Sequence, residues 1–500
     1  MSIGVWHIAG IVAVLLLIAG VSLYSGRKVK NASDFTTGGG KVGRWMVCGT
    51  IMGSLVGGQA TVGTAQLAFD YGAAAWWFTL GSGIGCLVLA LVYVVPLRRG
   101  GSNTLLGIIS KEYGSAARYA GSLFSSIGIF ISVVAQVVSA VALISSVLPV
   151  SAIAAAVIAI ALMAIYVVFG GLWGAGMGGI VKLILLYLAA VVSCVLALTV
   201  SGGFTGMLDG LNRALVGTPL GSLEGIDAAE DIGGQFFNLV ARGPSKDVGS
   251  GLSLLLGVLS TQIYGQAVMS AKSDREGKRG ALLSAFLIPP IGVASILIGL
   301  FMRSHYMTTA EIQALQAAQQ AIPSGMGEIA SAAQAFPMFV INHLPPLLGG
   351  IVLGTLFITV VGGGAGLSLG TATVLLNDLL QKFTQKLRTP ERRLLITRLT
   401  IVGVLITAAV VGLNSSGTAI NDLGFISMGL RGSVIFLPLT CALFLPGKID
   451  HKCIIASEIC ASIAVVAGTF ADTGIDPLFI GMAVSGACCL AGAWRQKRLG

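Results

Sequence analysis

Thirteen long apolar stretches cross this chain, and its basic residues collect in every second loop between them. The stretches run over roughly 3–24, 45–69, 74–96, 118–147, 151–169, 176–200, 251–270, 281–302, 346–378, 394–413, 420–445, 453–471 and 477–494. Each approaches or exceeds the roughly 20 residues that a helix needs to cross about 30 Å of hydrocarbon. Lipid offers the backbone no hydrogen bonds, so stretches of this length span as helices. The expected fold is an all-α, polytopic membrane bundle of about thirteen transmembrane helices. Of the 30 Lys and Arg residues, 24 lie in loops on one side, and only Arg213, Arg242, Lys246 and Arg303 lie on the other. Basic loops stay cytoplasmic. The expectation is an integral protein of the plasma (inner) membrane, N-terminus outside and C-terminus cytoplasmic.

Composition narrows the function. A 55% hydrophobic and 10% charged chain is no ordinary soluble domain. The net charge of +10 sits in short loops beside the spans, so topology accounts for it. The expected surroundings are the lipid bilayer, with no nucleic acid. Eight cysteines, Cys48, Cys86, Cys194, Cys441, Cys453, Cys460, Cys488 and Cys489, fall within or at the ends of spans without metal-ligand spacing. They read as buried thiols, and no metal is expected. His7, His305, His343 and His451 read as structural. No phosphate-cradling loop, Ser/His/Asp set or paired carboxylates occur, so the chain is not expected to be an enzyme. Two outer loops, about 201–250 and 303–345, are long, and 308–321 has helical spacing.

Seventy glycines are many for a helical protein. Scattered glycine lets membrane helices pack closely, but two clusters set it beside amide and hydroxyl side chains. The second span reads Gly53-Ser54-Leu55-Val56-Gly57-Gly58-Gln59-Ala60-Thr61-Val62-Gly63, and the seventh reads Gly257-Val258-Leu259-Ser260-Thr261-Gln262-Ile263-Tyr264-Gly265-Gln266. Helices that unwind at such points expose carbonyls and N–H groups, and inverted-repeat transporters place them at corresponding positions of two halves. Spans two to six and seven to eleven form two such groups of five. The division expected is a single membrane domain over 1–500: an extra helix in 1–30, repeats over 45–200 and 251–445, and two final helices in 453–500.

Four motifs then carry a resemblance. Ser33-Asp34-Phe35 with Gly38-Gly39-Gly40 and Gly43-Arg44-Trp45 stands before the second span. Tyr166-Val167-Val168-Phe169-Gly170-Gly171-Leu172 precedes the sixth. Ala271-Lys272-Ser273 with Arg279-Gly280-Ala281-Leu282 follows the seventh, and Leu369-Gly370-Thr371-Ala372-Thr373 with Asn377-Asp378 ends the ninth. In this order, from about Asp34 to Pro446, the chain resembles the sodium:solute symporter family, with its five-plus-five inverted-repeat transporter fold. The resemblance implies a substrate pocket between the broken helices. On matching positions it would be lined by Gln59, Ala60, Thr79, Ser82, Thr261 and Tyr264, the tyrosine acting as a thin gate or stacking partner.

The resemblance also implies a sodium site, and there the chain departs from its family. The matching carbonyls are those of Gly53 and Val56, but the family's two adjacent hydroxyls fall on Gly362 and Gly363, within a run that continues to Gly366. The usual Thr-Asp pair of the fifth core helix falls on Gly178 and Gly179, and the usual glutamine falls on Lys182. Charged residues at membrane depth are costly and normally face a cavity or a partner. Lys182 could extend to the Gly53 and Val56 carbonyls as a proton-binding group or a fixed substitute for the ion; alternatively it snorkels to the headgroups. Arg431 is expected to pair with Asp422 or an anionic substrate, and Glu458 with a loop lysine such as Lys452.

These features lead to a secondary carrier moving a small organic solute by alternating access. The coupling ion is H+ or Na+, sodium itself being left open, and no organic cofactor is expected. A non-transporting solute sensor is the alternative. Only 494–500 follows the last apolar stretch, which weighs against appended signalling modules.

Overall fold

The computed structural model describes residues 3–27, 41–215, 236–380, 390–414, 419–471 and 474–499, without the side chains of 22, 26, 168–172, 175, 214, 215, 390 and 499. Of the first family-like motif, 33–35 and 38–40 lie outside the described residues, while Gly43-Arg44-Trp45 opens the helix Arg44–Leu55. Among these residues, ten helices are long and apolar enough to cross a membrane, or eleven if one bent pair is a single span. That establishes a polytopic all-α architecture but not a count of thirteen. Large apolar side chains such as Leu16, Ile184, Leu188, Leu399, Ile463 and Phe470 stand exposed on the outer helices, as a lipid-facing surface requires.

The helices that position the site are α1 (Val5–Gly26), α2 (Arg44–Leu55), α3 (Thr64–Tyr71), α4 (Trp77–Val88), α5 (Ser115–Val147), α6 (Ala152–Val200), α7 (Pro244–Ser260), α8 (Gln262–Met269), α9 (Asp274–Leu287), α10 (Pro289–His305), α11 (Pro346–Val374), α12 (Pro390–Asn414), α13 (Ile420–Phe444), α14 (His451–Phe470) and α15 (Pro477–Leu499). At the centre, α2 packs on α6, α11 on both α5 and α6, and α13 on both α5 and α7. The glycines make these approaches possible. A Cβ on Gly179 would collide with the Gly49 carbonyl, and one on Gly49 with the Gly176 carbonyl. Small residues bring two helix backbones together where lipid supplies no hydrophobic drive between them.

The expected fifth and sixth spans both fall within α6, as the apolar segments Ala152–Val167 and Gly176–Val200. This helix is one element of 49 residues, about 73 Å if straight. Yet a Cβ on Gly178 would overlap the Tyr166 hydroxyl, twelve residues away and about 18 Å along a straight helix. The element is therefore not straight: it bends sharply between these residues, where its two apolar segments meet.

The loops sort into two sets at opposite ends of the bundle. At one end Val42 bridges to Ala271, Arg98 pairs with Asp274 at 2.7 Å, and the backbone of Arg44 donates to Glu276 at 2.8 Å. These are loops the charge pattern assigns to the inside. The other end gathers Arg242 with Asp247 and Arg303 with Glu311, each at 2.7 Å. The helical spacing of 308–321 becomes a helix over Thr309–Ala317, capped by Thr308 and Glu311 in a reciprocal box. Not every thiol is buried: Cys460 is exposed and Cys194, Cys453 and Cys488 are partly so, on helices whose outer faces meet lipid.

Candidate functional site

Both glycine clusters break their helices. Helix α2 stops at Leu55, Val56 leaves helical geometry at φ −82° and ψ 80°, and a π-helical turn over Gln59–Gly63 leads into α3. Helix α7 stops at Ser260, Thr261 is extended at φ −96° and ψ 124°, and α8 departs at 48°.

A break in an apolar bundle leaves backbone groups without their intrahelical partners, and something else must satisfy them. In a continuous helix the Gly57 N–H would bond the Gly53 carbonyl; here it donates to Leu55 at 3.0 Å. The freed carbonyls of Gly53 and Val56 accept from Lys182, whose Nζ lies 2.7 Å from each. The Gly58 N–H donates to Gln136 Oε1 at 2.7 Å. Lys182 is 1% exposed and reaches inward from α6 to the break, so it does not snorkel.

The glycines expected to mark the ion region surround this amine. A Cβ on Gly362 would stand 3.6 Å from Lys182 Nζ, from the Gly53 carbonyl and from Tyr166 Oη. One on Gly363 would meet Gly57 Cα at 2.9 Å, and one on Gly366 would overlap Ser54 Oγ. Gly179 is consumed by packing against Gly49. Lysine nitrogen and backbone carbonyls thus meet beside Gly362.

The six expected pocket residues are all buried, and the structure distributes them among several neighbours. Gln59 Oε1 accepts from Gln136 Nε2 at 3.2 Å. Thr261 Oγ1 accepts from Arg431 at 2.8 Å, and the same guanidinium reaches Ser132 at 2.9 Å. Ser132 and Gln136 are one turn apart on α5, so one face of that helix joins the two breaks. Ala60 packs inside, its carbonyl facing Ser295 at 3.4 Å. Thr79 sits against Gly292 of α10, and the Ser82 hydroxyl returns to the Phe78 carbonyl at 2.6 Å. Tyr264 is fully buried, and its hydroxyl has no partner among the described residues.

Two pairings differ from expectation. Of the two partners expected for Arg431, Asp422 is excluded: it lies nine residues away on the same helix and pairs with Arg242 at 3.4 Å, while the guanidinium bonds neutral acceptors. Glu458 pairs with no lysine: it is buried against Gly121 of α5, and both oxygens lack partners among the described residues. Sequence reasoning missed Gln136, although it is the one amide in a 33-residue apolar helix and a buried polar group marks function at that depth.

A model of the sodium:solute symporter family matches residues 35–452. The sodium/glucose cotransporter of Vibrio parahaemolyticus is 20% identical over 381 residues, covering 73% of this chain and 67% of that protein. The high-affinity choline transporter 1 of Torpedo marmorata is 25% identical over 461 residues, covering 88% and 73%. A sodium-coupled sialic acid symporter, solved substrate-bound and outward-open, superposes with a TM-score of 0.74 at 16% identity over 99% of this chain and 98% of that one. At that identity the likeness is one of fold.

Proposed function

Because the chain belongs to the sodium:solute symporter family, we propose that it carries a small organic solute by alternating access and that its own lysine stands where family members hold sodium. The observation behind this reading is the Lys182 amine, 2.7 Å from the carbonyls of both Gly53 and Val56. With glycine at 362 and 363, two side-chain oxygens are missing from a site that must replace most of the ion's hydration shell. An ammonium within about 4 Å would further repel a cation there. Transport then runs without sodium, driven by protons or by exchange.

In this reading α2–α6 and α7–α13 form the two inverted repeats, and their rocking alternates access to the space between the breaks. The charge distribution supports an N-terminus outside and a plasma-membrane location. The relatives' solutes, glucose, choline and sialic acid, share no single chemistry, and none is transferred here. The reading is tested by reconstituting the protein in liposomes and screening labelled solutes for counterflow. Internal unlabelled solute should accelerate entry of the same labelled solute. A protein that binds a solute without any trans-stimulated flux would overturn it.

A further inference from the structure

Resting on the carrier reading, we propose that Arg431 anchors a carboxylate, so that the transported solute is a small monoanion with a neutral remainder. Arg431 is fully buried in α13, beside the break between α7 and α8. Its Nε donates to the Ser427 carbonyl at 3.0 Å and its Nη1 to Thr261 Oγ1 at 2.8 Å. Its Nη2 reaches Ser132 Oγ at 2.9 Å, Ser427 Oγ at 2.8 Å and Met428 Sδ at 3.2 Å. Every one of these acceptors is neutral. Among the described residues no carboxylate lies within ion-pair distance, and Asp422 faces Arg242 instead. Arginine keeps its proton in proteins, and a buried charge without a counter-charge is strongly unfavourable.

Two further observations point to a ligand. Buried polar atoms without partners cluster at the same breaks: Ser260 Oγ and Tyr264 Oη flank Thr261, and Gln59 Nε2 lies at the other break. Along one stripe of α13, Gly424 faces Gln59 while Arg431 faces Thr261. One helix face therefore spans both broken segments with a single fixed positive charge and no acid. A carboxylate offers the guanidinium an opposite charge and paired, parallel acceptors, which neutral hydroxyls do not. A carboxylate entering the open site therefore displaces the Thr261 and Ser132 hydroxyls from the guanidinium. The unpartnered hydroxyls and amide are left for the neutral part of the solute.

The test uses the whole protein in nanodiscs. Lactate, pyruvate and butyrate are titrated against lactamide and butyramide as uncharged isosteres, alanine as a zwitterion and tetramethylammonium as a cation. A carboxylate should bind about 30-fold or more tighter than its amide, the usual cost of leaving a buried charge unpaired. Arg431→Gln should remove that preference, while Arg431→Lys retains part of it. If wild-type protein binds amide and carboxylate alike, or prefers the cation, the proposal falls without recourse to a variant. It also falls if Arg431→Gln binds carboxylates as the wild type does. Carboxylate-selective binding without trans-stimulated flux would defeat the carrier reading and leave this site standing. Counterflow of an uncharged solute would do the reverse.

Discussion

Replacing Lys182 with methionine separates a lysine that completes a broken helix from one that merely lies in lipid. Methionine is nearly as long and unbranched, so it fills the same space but donates nothing. The Gly53 and Val56 carbonyls, each 2.7 Å from Nζ, would then be buried, dry and unpaired. Each orphaned acceptor costs about 1–3 kcal/mol, so Lys182→Met should lose about 2–6 kcal/mol. Lys182→Ala removes three methylenes, about 0.8 kcal/mol each. It also opens a polar-walled space that water can enter to satisfy both carbonyls. The smaller side chain should therefore destabilise no more than the larger one, the reverse of an ordinary core. Denaturant unfolding in mixed micelles, followed by tryptophan fluorescence, reads this directly. Methionine equal to or more stable than wild type would refute the reasoning, because that is what a snorkelling lysine predicts.

Other substitutions probe the same packing. Gly362→Ser should fold, since its Cβ would meet neighbours at 3.6 Å; Gly363→Ser should lower the yield of folded protein, because its Cβ would press on Gly57 Cα at 2.9 Å. Size-exclusion profiles of the two variants check this. Arg242→Ala should destabilise by about 3–5 kcal/mol, the usual cost of breaking a buried pair, since it strands Asp247, whose side chain is fully buried; unfolding midpoints report it. Tyr264→Ala should weaken solute binding, as read by titration, and, because the ring is fully buried, should also destabilise the protein by about 3–5 kcal/mol. Thiols introduced at 306–335 should react with an impermeant reagent from outside, and those at 272–279 should not; the opposite pattern would invert the topology.

Much of this was legible in the sequence because broken helices are expensive in lipid. Only a glycine cluster beside amides and hydroxyls reads as a place where backbone can be spared its own hydrogen bonds, and both clusters are breaks. Lys182 was legible for a related reason: a lone lysine in an apolar span needs a destination, and the freed carbonyls provide one. Partners set by tertiary packing were not. Gln136 lies 78 residues from the Gly58 N–H it receives, and nothing local ties them. Arg431 was given Asp422 or an anionic substrate as partner on charge alone, but Asp422 lies nine residues away on the same helix, at the end of the bundle where it meets Arg242. The bend within α6 was legible as the gap between the apolar stretches 151–169 and 176–200, although not that helical backbone would run on through it.

The central claim is that Lys182 takes the place of sodium. Once counterflow has identified a transported solute, uptake into proteoliposomes should be measured with sodium and with choline as the only external cation. The account predicts equal initial rates in the two media, and a loss of coupled uptake in Lys182→Ala. Uptake that requires sodium and saturates with its concentration would contradict it.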